Sequence, residues 1–397
     1  MELSMRAKAL KPSPTLSITA LANKLKAEGK DIVGFGAGEP DFDTPQNIKD
    51  AAIDAINKGF TKYTPSSGIV ELKDAIIEKF KKENSLTYAR NEIVVSSGAK
   101  DFLFNLAMVI LDPGDEVIIP SPYWVSYPDQ TEIAGGKPVI VETREEDGFC
   151  LRPEALREKI TSRTKALILN SPSNPTGGAY EKKALEKIAE IALEKKILII
   201  SDEIYERLVY DGYKHMSIAS LSDEVKKNTI VVNGVSKTYS MTGWRIGYGA
   251  GPANIMAAIS DLQSQNISNP TSICQKASIE AIRGDQSTVE KMRVAFDERR
   301  KFIVSRLNSI KGVKCFNPKG AFYCFPNVSG VYGKSYNGKS VNSSQAITEL
   351  LLSDANVAVV PGGAFGSDSN IRLSYATSLD NIKKGIDRIE NFISSLK

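Results

Sequence analysis

Thr229-Ile-Val-Val-Asn233-Gly234-Val-Ser236-Lys237-Thr-Tyr-Ser-Met-Thr-Gly243-Trp-Arg245-Ile-Gly247-Tyr248 holds an apolar strand, a loop of small residues carrying a lysine, and a second short strand. Outward from this stretch the same rhythm repeats. Apolar runs at Glu92 to Ser96, Glu116 to Pro120, Lys137 to Val141, Lys165 to Leu169 and Ile197 to Ile200 alternate with helical segments such as Leu185 to Leu193, whose apolar residues fall at helical spacing. Buried strands alternating with covering helices predict an α/β fold with a mainly parallel sheet. From about residue 290 the pattern changes to a charged helix (Lys291 to Leu307) and shorter strands at Ala321 to Phe325, Val357 to Val360 and Ile371 to Tyr375. An amphipathic helix follows, with Ile382, Ile386, Ile389, Ile393 and Leu396 on one face. This reads as a smaller α+β domain. The segment Ser329 to Ser344, rich in glycine, serine and asparagine, reads as a surface insertion with no visible chemistry.

Length and composition narrow the function. At 397 residues the chain exceeds one ordinary hydrophobic core, so two domains are expected. The net charge of +4 is spread without basic runs, which argues against a nucleic-acid partner. Residues 1–8 lack the apolar core of a signal peptide, and Leu106 to Leu111 is too short to span a bilayer, so no membrane association and a cytoplasmic location are expected. The four cysteines, Cys150, Cys274, Cys315 and Cys324, lack C-x-x-C spacing and read as buried thiols; no metal site is expected. The single histidine, His215, stands in a polar stretch after Asp211-Gly212-Tyr213 and is expected in a surface loop.

Chemistry concentrates where strands end. A lysine is most often merely solvated, but Lys237 lies in a loop with room for a ligand, and Arg245 offers a fixed positive charge for a phosphate. An amine able to form an imine, beside an anchor for a phosphorylated aldehyde, points to pyridoxal phosphate chemistry. Asn170-Ser-Pro-Ser-Asn174-Pro-Thr-Gly177 ends one strand in a turn with an amide able to bond a ligand. Asp202-Glu-Ile-Tyr205 puts a carboxylate at the carboxyl end of another. Arg372 lies inside the alternating strand Asn370-Ile-Arg372-Leu-Ser-Tyr375, where a guanidinium is a costly buried charge unless it meets an anion. Ser96-Ser-Gly98-Ala99-Lys100 turns a strand into a helix starting near Asp101, and the free N–H groups there face an anion. The segment lacks Walker A spacing, and Gly34-Phe-Gly36-Ala-Gly38 lacks the G-x-G-x-x-G spacing of a dinucleotide fold.

Taken together, these segments resemble the class I aminotransferases among the fold type I pyridoxal phosphate enzymes. The similarity is to the bacterial aspartate aminotransferase subgroup, some of whose members also accept prephenate. It extends from Lys11-Pro-Ser13 through Gly36-Ala-Gly38-Glu-Pro-Asp-Phe, Lys62-Tyr63-Thr and Ser121-Pro-Tyr-Trp124-Val-Ser-Tyr-Pro128 to Arg372-Leu-Ser-Tyr-Ala-Thr377. The resemblance implies a fold type I transferase with a large domain over 48–288 and a small one from 1–47 and 289–397. The implied cofactor is pyridoxal 5′-phosphate, and the implied reaction is a ping-pong Schiff-base exchange between L-aspartate and 2-oxoglutarate. Lys237 would form the imine and shuttle the proton, with its pKa lowered as a base requires. Asp202 would pair with the pyridine nitrogen, Tyr205 and Asn174 would bond the phenolic oxygen, and Trp124 would stack on the ring. Gly98, Ala99, Lys100, Ser236 and Arg245 would hold the phosphate end, helped by Tyr63 from the partner of a homodimer. Arg372, Gly38 and Asn174 would take the substrate α-carboxylate.

One departure bears on the substrate. Better-known aspartate aminotransferases bind the distal carboxylate with a partner arginine in the region matching Ser264 to Pro270, and no arginine lies there. In the subgroup this chain resembles, the lysine matching Lys100 takes that role, and the stretch from Lys11 to Thr15 closes over the pocket. A lysine is a point charge without bidentate geometry, so looser acidic specificity is expected. Aromatic or kynurenine-type aminotransferases and β-C–S lyases share the scaffold and remain open. A regulator with an added DNA-binding domain is not expected, because the resemblance begins by Lys11.

Overall fold

The apolar runs between residues 92 and 252 pair into one sheet, which the computed structural model describes together with the rest of residues 2–4, 7, 8, 10, 12 and 14–397. After the short strand β1 (Val33–Gly34) come β2 (Ile93–Ser96), β3 (Glu116–Ser121), β4 (Lys137–Glu142), β5 (Thr164–Asn170), β6 (Leu198–Asp202), β7 (Thr229–Gly234) and β8 (Gly247–Ala250). The order in the sheet is β2-β8-β7-β6-β5-β3-β4. Neighbours from β4 to β7 are parallel, as expected. β8 runs antiparallel to both β7 and β2. A parallel return from β7 would need a crossover, usually a helix, and residues 235–246 contain only the short turn Thr242–Trp244.

Successive strand residues point to opposite faces, and both faces are covered. Ile118, Leu167, Leu169 and Ile199 pack against Leu185, Ile188, Ala189 and Ala192 of the helix Lys182–Lys195. Their neighbours Val117, Ile119, Ala166, Ile168 and Ile200 pack on the other side with Phe102, Leu103 and Leu106 of the helix Ala99–Ile110 and with Met256 and Ile259. A fully buried Leu or Ile contributes about 1.5–3 kcal/mol, so the two apolar layers fix which strand end faces the site. The carboxyl ends Ser96, Ser121, Asn170, Asp202 and Gly234 share one edge.

The later chain supplies β9 (Tyr323–Cys324), β10 (Lys334–Tyr336), β11 (Lys339–Val341), β12 (Val357–Ala358), β13 (Val360–Pro361) and β14 (Ile371–Ser374). β13, β14 and β9 form an antiparallel sheet, while β1 pairs in parallel with β12 and ties the first fifty residues to the last fifty. The helix Leu379–Ser394 buries Ile382, Ile386, Ile389 and Ile393 as its spacing predicts. A Cβ on Gly385 would lie 2.3 Å from the Phe35 ring, so glycine lets this helix close on the residues following β1. The supposed insertion contains a hairpin. Asn337 and Gly338, at φ 48° and 78°, make the two-residue turn joining β10 and β11, and Ser335 exchanges two 3.0 Å backbone hydrogen bonds with Lys397. Among the described residues, no helix is long and apolar enough to cross a membrane.

Candidate active site

The edge where the parallel strands end opens into a cavity of about 620 Å³. Loops after β2, β3, β5, β6 and β7 each send a side chain toward it. Of the residues expected to form a site, Gly38, Ala99, Lys100, Trp124, Asn174, Asp202, Tyr205, Ser236, Lys237, Arg245 and Arg372 line it.

Lys237 donates from Nζ to the Gly38 carbonyl at 2.6 Å. Burial pushes its pKa down to about 8, with Arg245 and Arg372 adding to the effect and Glu39 and Asp202 opposing it. Asp202, 4% exposed at the end of β6, accepts from the Tyr127 hydroxyl at 2.6 Å and from the Ile204 N–H at 3.2 Å. Burial pushes its carboxyl up to about 6 against those two hydrogen bonds and the Lys237 charge. Asn174 is set by its neighbour in the turn: its N–H donates to Asn170 Oδ1 at 2.8 Å, and Asn170 Nδ2 bonds the Asp202 carbonyl at 3.0 Å. The Tyr205 and Tyr323 hydroxyls lie 2.9 Å apart.

Arg372, 2% exposed, is buried on β14 between the rings of Tyr323 and Phe365. Its Nη1 donates to Asn174 Oδ1 at 3.0 Å and its Nη2 to the Gly36 carbonyl at 2.8 Å. Its Nε has no hydrogen-bond partner among the described residues. A buried guanidinium with an idle N–H on a cavity wall suits a carboxylate, since leaving that donor unmet costs about 1–3 kcal/mol.

At the other end, Gly98 precedes the helix Ala99–Ile110 at φ 92°, and that helix starts two residues before the expected Asp101. A Cβ on Gly98 would meet Arg245 Nη2 at 2.3 Å, and one on Gly247 would meet the Ala99 nitrogen at 2.1 Å. Bare glycines thus let the helix N-terminus and the guanidinium converge. Arg245 is held by the carbonyls of Thr242 at 2.9 Å and Ser97 at 3.2 Å. Lys100 Nζ stands 5.0 Å from the centre of the Trp124 ring. The pocket wall desolvates Lys100 and Arg245 repels it, and both lower its pKa.

Three expected residues are not in the cavity wall. Gly98 acts from behind Arg245. Tyr63 is 90% exposed on the surface, and Lys11 lies outside the described residues. His215 is a correction in part: it stands in a loop as expected, but its side chain turns inward, only 7% exposed, with Nε2 3.0 Å from Glu203 Oε2. Burial acts to lower its pKa, but the Glu203 charge and hydrogen bond prevail and raise it. The polar residues beside it in sequence concealed a partner twelve positions upstream. Glu206, which with Glu203 and His215 could hold a metal by distance alone, is already paired with the Lys79 ammonium and bonded by Asn84 and Asn233. Sequence reasoning also missed Tyr127 and Tyr323. Tyr127 stands three residues after Trp124, the helical spacing of a shared face.

A buried lysine, a buried carboxyl and two guanidinium groups lining one cavity at the sheet edge agree with the comparison to known families. The model for aminotransferases of class I and II matches residues 30–389, and the chain belongs to that family. It is 55% identical to the aspartate aminotransferase of Bacillus sp. (strain YM-2), covering 98% of this chain and 99% of that one. It is 49% identical to the aspartate/prephenate aminotransferase of Nitrosomonas europaea, covering 99% and 100%. The crystal structure of the Rhizobium meliloti aspartate aminotransferase superposes with a TM-score of 0.97 at 46% identity over the whole of both chains.

Proposed function

We propose that the enzyme transfers an amino group between L-aspartate and 2-oxoglutarate, giving oxaloacetate and L-glutamate, with pyridoxal 5′-phosphate held in the 620 Å³ cavity. The observation that carries the reading is that the pKa-depressed Lys237 and the under-bonded Arg372 open onto this one cavity. The residues fit the cofactor: the Gly98 cradle with Arg245 suits a phosphate, and the buried Asp202 suits a ring cation. When bound, the protonated pyridine ring supplies an electron sink for ionising the substrate Cα–H. Lys237 takes and returns the Cα proton, for which an amine pKa near 8 is well matched. Asn174 and Tyr205 would bond the ring oxygen, Trp124 would cover the ring face, Ser236 would serve the phosphate end, and Arg372 with Gly38 would orient the α-carboxylate. Lys100, at the Trp124 edge, takes the distal carboxylate.

The reading includes a large domain over 48–288 and a small one from 1–47 and 289–397, supported by the β1–β12 pairing. It takes the enzyme to be a cytoplasmic homodimer in which Tyr63 reaches the partner's site. Prephenate as a further amino acceptor is favoured by the Nitrosomonas europaea relative's name. Steady-state assays across amino donors test the substrate. Aspartate and glutamate should exceed aromatic donors in kcat/KM, and Lys100→Ser should raise KM for the acidic donors at least tenfold more than for phenylalanine. A preference for aromatic donors, or pyruvate release from cysteine conjugates as the main activity, would overturn the assignment.

A further inference from the structure

Tyr127 belongs to none of the roles assigned above, yet it makes the closest side-chain contact with the buried acid. It stands on the first turn of the helix Ser126–Ile133, 3% exposed, and its hydroxyl lies 2.6 Å from Asp202 Oδ2 across 75 residues of sequence. Trp124 packs edge-on against the ring at 5.3 Å and 82°, and one turn on the Thr131 hydroxyl donates to the Tyr127 backbone carbonyl at 2.9 Å. Burial and the neighbouring Asp202 hold the phenol well above its ordinary pKa, so it is a neutral donor throughout the working range. A neutral donor aimed at a carboxylate oxygen bonds the ionised form more strongly than the protonated one and so favours the charge.

We propose that Tyr127 is a positioning residue for the transfer reaction, keeping Asp202 ionised and oriented so that it can hold a protonated ring. The proposal rests on the assignment of Asp202 above. The Tyr127 hydroxyl, the Ile204 N–H and the Lys237 amine favour the charge of this carboxylate, Glu203 opposes it, and Tyr205 stands nearby as a neutral phenol. Tyr127 is the first in weight of those that favour it. Without the phenol, a carboxyl that burial already pushes up would be pushed higher still, and less of it would be ionised at any given pH. Such an acid no longer offers a full negative charge to a ring cation.

Tyr127→Phe removes one oxygen and keeps the packed ring, so it separates the hydroxyl from the fold. Loss of a charge-assisted hydrogen bond should lower kcat roughly ten- to a hundredfold, with KM for aspartate within about twofold. A double-mutant cycle with Asp202→Asn isolates the route: in the Asp202→Asn background, Tyr127→Phe should change kcat by less than about twofold. A second readout needs no turnover. In the cofactor-free protein, carbon NMR of the Asp202 carboxyl should titrate at higher pH in Tyr127→Phe than in wild type. Losses that multiply in both backgrounds, an unmoved titration, or an unchanged kcat would overturn the proposal while leaving Asp202 in place. If Asp202→Asn itself left kcat intact, the assignment of Asp202 would fall and Tyr127's role with it.

Discussion

Lys237 has a lowered pKa because the fold removes water from its amine, and this must affect stability as well as chemistry. An amine whose pKa falls on folding binds its proton more weakly in the native state. Its cost is absent above the ordinary lysine range, grows as pH falls, and is full below about 8. Cofactor-free Lys237→Met should therefore melt a few degrees above cofactor-free wild type at pH 7, with the gap closing as pH rises from about 8 to 10. The same variant, reconstituted with pyridoxal phosphate, should lose the near-visible absorption of wild type and at least a thousandfold in kcat. Scanning calorimetry across pH decides the first part, and a wild type that melts higher at every pH would contradict it. Lys237, Asp202, Asn174 and Arg372 were legible from sequence because each stands in or just after an apolar run. Tyr127 and Tyr323 were not, because their meaning lies in contacts 75 and 118 residues away. His215 was misread for the same reason: its sequence neighbours are polar, but its partner Glu203 is buried.

At the scale of elements, apolar periodicity located the strands of the large sheet to within a few residues, and the helices it named likewise, but it left Gln46–Asn57, Val70–Asn84, Ala253–Asn266 and Ser272–Arg283 unnamed. It could not give direction to β8, since an apolar run reads the same either way and only the missing crossover between residues 235 and 246 decides the pairing. The hairpin at Asn337-Gly338 carried a legible Asn-Gly signal, outweighed by the polar composition around it. Two glycines at the phosphate end make separable predictions. In Gly98→Ala the new methyl meets the far end of the Arg245 side chain, which can swing aside. The fold should survive, with a backbone cost of about 1–3 kcal/mol, since φ 92° with ψ 158° is a region left almost entirely to glycine. The displaced guanidinium should raise Kd for pyridoxal phosphate tenfold or more. In Gly247→Ala the methyl meets the Ala99 backbone nitrogen at 2.1 Å, which cannot yield without moving the helix. That variant should lose stability first, seen as a lower denaturant midpoint. Equal cofactor affinity for Gly98→Ala and wild type would show that the cradle does not bind the phosphate.

For the whole molecule, the question is what covers the surface around Tyr63. Ile53, Ile56, Tyr63 and Val70 are exposed at 53, 51, 90 and 47%, a run of large apolar side chains within eighteen residues. Scattered exposed apolar residues need no explanation, whereas a group that shares one surface would argue for a covered face. In a two-fold dimer such a face is used twice, so Tyr63 of each subunit would serve the other's site. Complementation tests this directly. Tyr63→Ala leaves every homodimer with Lys237 but no reaching hydroxyl, and Lys237→Ala leaves every homodimer with no base. After subunit exchange in an equal mixture, half the dimers are mixed. In each of these, one site combines Lys237 of the first variant with Tyr63 of the second. Assayed at a cofactor concentration too low to fill the Tyr63→Ala protein, the mixture should recover about a quarter of wild-type activity. Exchange verified by mass spectrometry without recovery, or an active species that sediments as a monomer, would place each site within a single chain and leave Tyr63 a surface residue.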